Sequence, residues 1–256
     1  MKAAFGTNAR SGTLRGRRAC ALVPVVAAAL ACGGAARAQV AGSVGIASEN
    51  RYRGTATDDV GPVVRASVMA DSTVAPLDGA YAGLAGVWRT RDGGLANAEA
   101  MLGWSGRWNA LGPFVDADPG WGWDVGVHRM HYGIGTRYDF SEAMVGLLAP
   151  NASARVWWSP HYFGGTWASI YSEVNGDIAL DEHWRAFGHL GALRYGNTGA
   201  GRHVPGRTDA LAGIGYTLDA VDVRVTRDGL VSGRAIDDVD TRRRRAAWVL
   251  SAGMAF

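Results

Sequence analysis

From residue 39 onward one rhythm dominates the chain. Apolar residues recur at every second position, which is the period of a strand with two unlike faces and not that of a helix. The last twelve residues carry it most cleanly: Ala246, Trp248, Leu250, Ala252, Met254 and Phe256 make a wholly apolar face, and Arg245, Ala247, Val249, Ser251, Gly253 and Ala255 make the other. The pattern recurs eleven times upstream, on Val44/Ile46, Val64/Ala66/Val68, Ala82/Leu84/Trp88, Ala98/Ala100/Leu102/Trp104, Trp123/Val125/Val127, Ala143/Val145/Leu147, Ala154/Val156/Trp158, Ala168/Ile170/Val174, Trp184/Ala186/Leu190/Ala192, Ala210/Ala212/Ile214/Tyr216 and Val221/Val223/Val225. Beyond the N-terminal leader no apolar stretch is long enough for a transmembrane helix. Such a chain can still cross a bilayer, because a closed barrel, like a helix, satisfies every backbone N–H and C=O in lipid. Twelve alternating segments, an even number, match the strand counts of single-chain bacterial barrels. The expected fold is all-β: a transmembrane antiparallel up-and-down β-barrel of about twelve strands.

Alternation alone also fits a soluble sandwich, and two further features favour the barrel. Apolar faces carry Trp or Tyr near strand ends, as lipid-facing bands with aromatic girdles do. The connections also alternate in length. Those at 150–151 and 218–220 are short, and those at 131–141, 194–208 and 227–244 are long, the pattern of periplasmic turns facing outer loops when the N-terminus starts inside. The connection at 107–121 breaks the rule, being long on the short side.

Residues 1–38 read as a cleavable signal peptide, leaving an outer-membrane barrel domain over 39–256. Lys2, Arg10, Arg15, Arg17 and Arg18 precede an apolar run from Ala19 to Ala31, and Ala36-Arg37-Ala38 supplies the small-x-small cleavage pattern. The run is short for a membrane anchor and Pro24 interrupts it. A lipoprotein reading would acylate Cys32, but Ala29 stands where Leu is usual; the pair Arg17-Arg18 lacks the residues that usually surround a twin-arginine signal. Both cysteines, Cys20 and Cys32, lie in the leader, so the remainder cannot rely on disulfides. The leader also holds six of the 26 basic residues and none of the 23 acidic ones, which leaves a mildly acidic domain whose 20 basic residues are all Arg. Nothing in that balance suggests a nucleic-acid partner, and none is expected.

If the apolar faces meet lipid, the opposite faces line the lumen. They place Glu49, Arg51, Arg53, Arg65, Arg89, Glu99, Asp124, His128, Glu142, Arg155, Glu173, Arg185, His189, Asp209, Asp222 and Arg224 inside, with Glu49 through Arg53 continuing the first strand. Charges of both signs facing one another would set ion selectivity; the alternative is that they pair and fill the barrel, since twelve strands enclose less space than a 16–18-stranded porin.

The segment at 43–56 (SVGIASENRYRGTA) sets Glu49, then Tyr52 between Arg51 and Arg53, then Gly54, and it resembles the opening strand of the TorF-type porins, the Gcw_chp family of bacterial outer-membrane proteins. NAEAMLGWSGRW at 97–108, WGWDVGVHRMHY at 121–132 and SEAMVGLLAPNASARVWWSPHYFG at 141–164 resemble later strands of that family, in order. The long 107–121 connection and the arginine tract at 242–245 depart from it. The resemblance implies a location in the bacterial outer membrane and a porin fold more than it implies a solute. Partners implied are outer-membrane lipid and lipopolysaccharide, small solutes, and the barrel-assembly machinery reading the terminal strand that ends in Phe256.

The expected function is passive diffusion of small hydrophilic solutes, without cofactor or metal. A plugged or purely structural barrel is the first alternative, and an outer-membrane lipid-modifying hydrolase a weaker one. The six histidines are scattered, no Gly-x-Ser-x-Gly or His-Glu-x-x-His occurs, and His128 and His131 fall on opposite faces of one strand. The arginines at 242–245 could meet anionic lipid, or simply balance Asp237, Asp238 and Asp240 in a solvated loop.

Overall fold

The structure is a computed structural model, and it describes residues 38–57, 61–107, 120–196, 206–233 and 245–256. The signal-peptide reading and both cysteines lie outside those residues, as do Arg242, Arg243 and Arg244 and most of the 107–121 connection.

The strands are β1 (Ala38–Ala47), β2 (Arg51–Tyr52), β3 (Thr55–Ala56), β4 (Val63–Ser72), β5 (Ala80–Arg89), β6 (Leu95–Arg107), β7 (Gly122–Tyr132), β8 (Phe140–Ala149), β9 (Ala152–Ser159), β10 (Ser169–Ala179), β11 (Trp184–Tyr195), β12 (Arg207–Leu218), β13 (Val221–Ser232) and β14 (Ala246–Ala255). Among the described residues twelve of them, β1 and β4 to β14, form one closed antiparallel barrel in which each strand pairs with its neighbours in the chain, while β2 and β3 pair only with each other. β14 closes the ring on β1, with Ser43 opposite Ala255 and Ala47 opposite Ser251. The ladder ends on a reciprocal pair, Gly42 N–H to the Phe256 carbonyl at 2.8 Å and Phe256 N–H to the Gly42 carbonyl at 3.0 Å. A Cβ at Gly42 would sit 2.6 Å from the tip of the Phe256 ring, so a larger residue there would turn that ring aside.

The period-two pattern sorts the two faces as the alternation anticipates. In β8 Val145 is 58% exposed while its neighbour Met144 is 4% exposed. Register aligns the outward residues into rows: Val125 faces Val145, which faces Val156, and Ile214 faces Val225, which faces Leu250. Trp88, Trp158 and Trp248 sit near one rim, and Trp104, Trp123, Trp184 and Tyr216 near the other. The Trp184 and Tyr216 rings lie 4.8 Å apart, and Trp104 Nε1 donates to the Asp78 carbonyl at 2.8 Å. An apolar band between two aromatic girdles is the surface a bilayer requires. No helix among the described residues is long and apolar enough to cross a membrane.

Two expectations need correction. The first strand does not continue through Arg53: β1 stops at Ala47, and the chain turns inward. β13 runs to Ser232, well into the segment read as loop from residue 227. Arg227 and Asp228 are accommodated because they point opposite ways, Arg227 over the Trp248 ring at 5.7 Å and Asp228 towards Arg51 inside at 3.6 Å.

Leu102 is 59% exposed at the middle of β6. Leu102→Arg is expected to cost about 2–4 kcal/mol, the penalty for a cation on the lipid face near the bilayer midplane. Reversible denaturant unfolding in lipid vesicles measures it, and an unaltered midpoint would contradict a lipid-facing Leu102.

Candidate functional site

The interior is organised around the segment following β1. Residues 51–56 make a minimal hairpin in which Arg51 pairs with Ala56 and Tyr52 with Thr55. The turn between them has Arg53 at φ 49 and Gly54 at φ 74. Left-handed backbone costs little at Gly but about 1–3 kcal/mol at a residue with a side chain, and at Arg53 it is imposed by the two-residue turn, whose twist matches the strands only with φ > 0 at both central positions. Gly54 is also a steric necessity, since a Cβ there would collide with the Asp209 Cβ on β12.

The root of the hairpin is fixed by hydrogen bonds. Asn50 Nδ2 donates to Thr57 Oγ1 at 2.6 Å and to Asn97 Oδ1 at 2.8 Å. Arg51 donates to Glu49 Oε1 at 2.7 Å and to the Gly54 carbonyl at 2.6 Å. Arg65 reaches the Glu49 carbonyl and Asn50 Oδ1, both at 3.3 Å.

The tip crosses the barrel. In the ring of twelve, β9 lies opposite β1, and Arg53 reaches the wall formed by β8, β9 and β10. Its two terminal nitrogens donate to Glu142 at 2.8 and 2.7 Å, a bidentate fork. Aromatic rings surround the same guanidinium: Tyr171 at 4.0 Å, Tyr52 at 4.8 Å, Tyr162 at 5.5 Å and Trp157 at 5.7 Å from their centroids. The Arg53 and Glu142 side chains are 6% and 2% exposed. Burial alone would lower the Arg53 pKa, but Tyr52, Tyr162 and Glu142 hold it well above its usual value. Burial pushes the Tyr52 phenol well up, and Glu142 adds to this against the opposing pull of Arg53. Behind the fork, Met130, Tyr132, Phe140, Tyr162, Tyr171 and Leu193 form a buried cluster. Arg207 donates into it, to Tyr162 Oη at 3.0 Å.

Beside the hairpin lies a cavity of about 710 Å³. Of the sequence-predicted residues, Arg51, Arg53, Glu99, Glu142, Glu173, Arg185, His189, Asp209 and Arg224 line it. Several are joined in networks. His189 Nε2 and Tyr171 Oη meet Asp209 Oδ2 at 2.9 and 3.0 Å, and His189 Nδ1 meets Asn175 Oδ1 at 2.7 Å. Arg185 and Arg224 share Asp222, the latter at 2.7 Å. Glu99 pairs with His128. Asp124 accepts from Tyr81 Oη at 2.7 Å and lies 3.6 Å from Arg155. Glu49 is buried at the hairpin root and Arg65 beside it is exposed, and neither borders the cavity. Arg89 binds Asp92 at 3.0 Å in the tight connection after β5 and does not border the cavity.

The sequence reading missed Tyr52, Tyr171, Trp157 and Tyr162 as a unit, and Arg207 and Asp228 as interior charges. A signal existed for two of them: Trp157 has the parity of Arg155, and Tyr171 that of Glu173.

Fold and interior together define a closed twelve-stranded antiparallel barrel with an apolar outer band and a charged lumen. No protein-family model and no curated protein matches the chain. Among solved structures it resembles a KdgM porin at 8% identity, covering 84% of this chain and 99% of that one with a TM-score of 0.50. A NanC porin aligns at 8% identity over 85% of this chain and 99% of its own, TM-score 0.49. An outer membrane channel from Pseudomonas putida F1 aligns at 9% over 86% and 95%, TM-score 0.45. At these identities the likeness is one of fold, carried by the first of the three.

Gly54→Ala is expected to displace the hairpin, because left-handed backbone costs a residue with a Cβ about 1–2 kcal/mol and the collision with Asp209 adds to it. Proteinase K cleavage mapped by mass spectrometry should be slow between residues 49 and 57 in the unaltered protein and fast in the variant. Equal rates would mean that the hairpin is not seated in the lumen.

Proposed function

We propose that the chain is a bacterial outer-membrane porin through which small hydrophilic solutes diffuse passively, with the 51–56 hairpin as its constriction. The observation that carries this reading is the charge-lined cavity of about 710 Å³ inside a closed barrel whose outer surface is apolar. A lumen bearing both signs suits hydrated polar solutes and gives an apolar one nothing to bind. In this reading the sixteen residues named from the sequence are pore-lining or support the pore wall. The rim bearing the hairpin faces outward, and residues 1–38 are the cleaved export signal. Lipopolysaccharide and outer-membrane lipid surround the band, and the barrel-assembly machinery reads β14. The motif around Glu49, Tyr52 and Gly54 supports membership of the TorF-type family.

A second reading, a plugged barrel without transport, is favoured by the hairpin spanning the lumen from β1 to the opposite wall. Planar-bilayer recording separates the two. The diffusion reading expects small ohmic steps from the refolded protein, and larger steps from Arg53→Ala. A folded, heat-modifiable barrel with no steps in either form would leave the plugged reading standing.

A further inference from the structure

The surroundings of Arg53 have the composition of a binding site. One carboxylate offers two oxygens to a planar fork, and four aromatic rings stand within 6 Å of the cation. Aromatic enclosure of a cation is how proteins recognise organic ammonium and guanidinium groups, and a facing carboxylate adds preference for a donor that is planar and bidentate. Three of the rings and the carboxylate belong to the barrel wall and the connection after β9; only Tyr52 travels with the hairpin. Removing Arg53 therefore leaves most of the cage standing, held by the Phe140, Tyr132 and Leu193 packing behind it.

We propose that this cage is a binding site for guanidinium-bearing solutes, that Arg53 is its resident occupant, and that such a solute displaces the hairpin. Two observations make displacement feasible. Tyr52, Arg53, Glu142, Trp157 and Tyr171 all border the central cavity, so the cage opens onto the lumen. The hairpin also carries its own two-residue turn, with left-handed backbone at both Arg53 and Gly54, so it can leave the wall as a unit without refolding. The cage selects for cations within a lumen that carries both signs. The inference stands on the cage and its readout is binding, so its failure is separable from failure of the diffusion reading.

Isothermal titration of the refolded barrel with methylguanidinium tests it. Arg53→Ala should bind the probe at least about tenfold more tightly than the unaltered protein, in which a tethered side chain competes at high effective concentration. Adding Glu142→Gln to Arg53→Ala should abolish the gain. Tetramethylammonium, which has no N–H to donate, should bind Arg53→Ala more weakly than methylguanidinium does. Should Arg53→Ala not refold, Arg53→Gln carries the same expectations. In the unaltered protein, methylguanidinium should speed proteinase K cleavage within 49–57 while equimolar sodium chloride does not. Equal affinity with and without Arg53, a gain that survives Glu142→Gln, tetramethylammonium binding as tightly as methylguanidinium, or unchanged cleavage would each overturn the proposal.

Discussion

Everything in this molecule depends on the seam between β1 and β14. Lipid offers no hydrogen bonds, so a sheet within it has to leave no edge unpaired. The seam meets that requirement with an antiparallel ladder from Ser43–Ala255 to Ala47–Ser251 and the reciprocal Gly42–Phe256 pair. Once closed, twelve strands fix the circumference, and the circumference fixes what the interior can hold. It is narrow enough for a hairpin of six residues rooted beside one wall to place an arginine against the other. In a porin of 16–18 strands the same segment would project into open water.

The interior charges follow from that narrowness. Burying a carboxylate and a guanidinium is expensive, and their attraction returns the cost only with good geometry and full hydrogen bonding. Arg53 and Glu142 meet both conditions, so the net contribution of the pair to stability is small, yet removing Glu142 alone would leave a buried cation uncompensated. The pair therefore decides where the hairpin goes more than how stable the barrel is. Arginine suits this role better than lysine, since its plane can stack on Tyr171 while its edge grips Glu142. The exclusive use of arginine across residues 39–256 is consistent with many sites of the same kind, Arg185 and Arg224 on Asp222 among them.

The barrel was legible in the sequence because alternation is a local property with a single physical cause. A residue in a two-faced strand meets lipid or lumen according to parity alone, so Val145 and Met144 could be assigned without knowing their neighbours. The hairpin was not legible, because parity persists through Glu49, Arg51 and Arg53 after the strand itself has ended. What separates wall from hairpin is the pair of left-handed residues, and Gly54 was the visible trace of it. Parity says nothing of a partner either: Asp92, three residues beyond Arg89, pairs with it across a turn. Arg227 and Asp228 fall in a stretch rich in glycine and charge, which reads as loop, although a rim tryptophan and an interior arginine accommodate one each within β13.

The chemistry chosen to seat the hairpin also bears on whether the lumen is permanently blocked. A plug held by apolar burial would need a continuous nonpolar face, and residues 51–56 have none: Tyr52 and Ala56 are their only apolar side chains, beside two arginines, a glycine and a threonine. The contacts that hold the tip are instead a charge-assisted fork and stacked rings around a cation. Such contacts are specific in direction and are met by water or by a solute of like chemistry once broken. The rigid part, the Phe140, Tyr132 and Tyr162 packing, belongs to the wall and stays in place when the tip leaves. A barrel that keeps the socket and lends the occupant suits the reversible constriction proposed above better than a permanent plug.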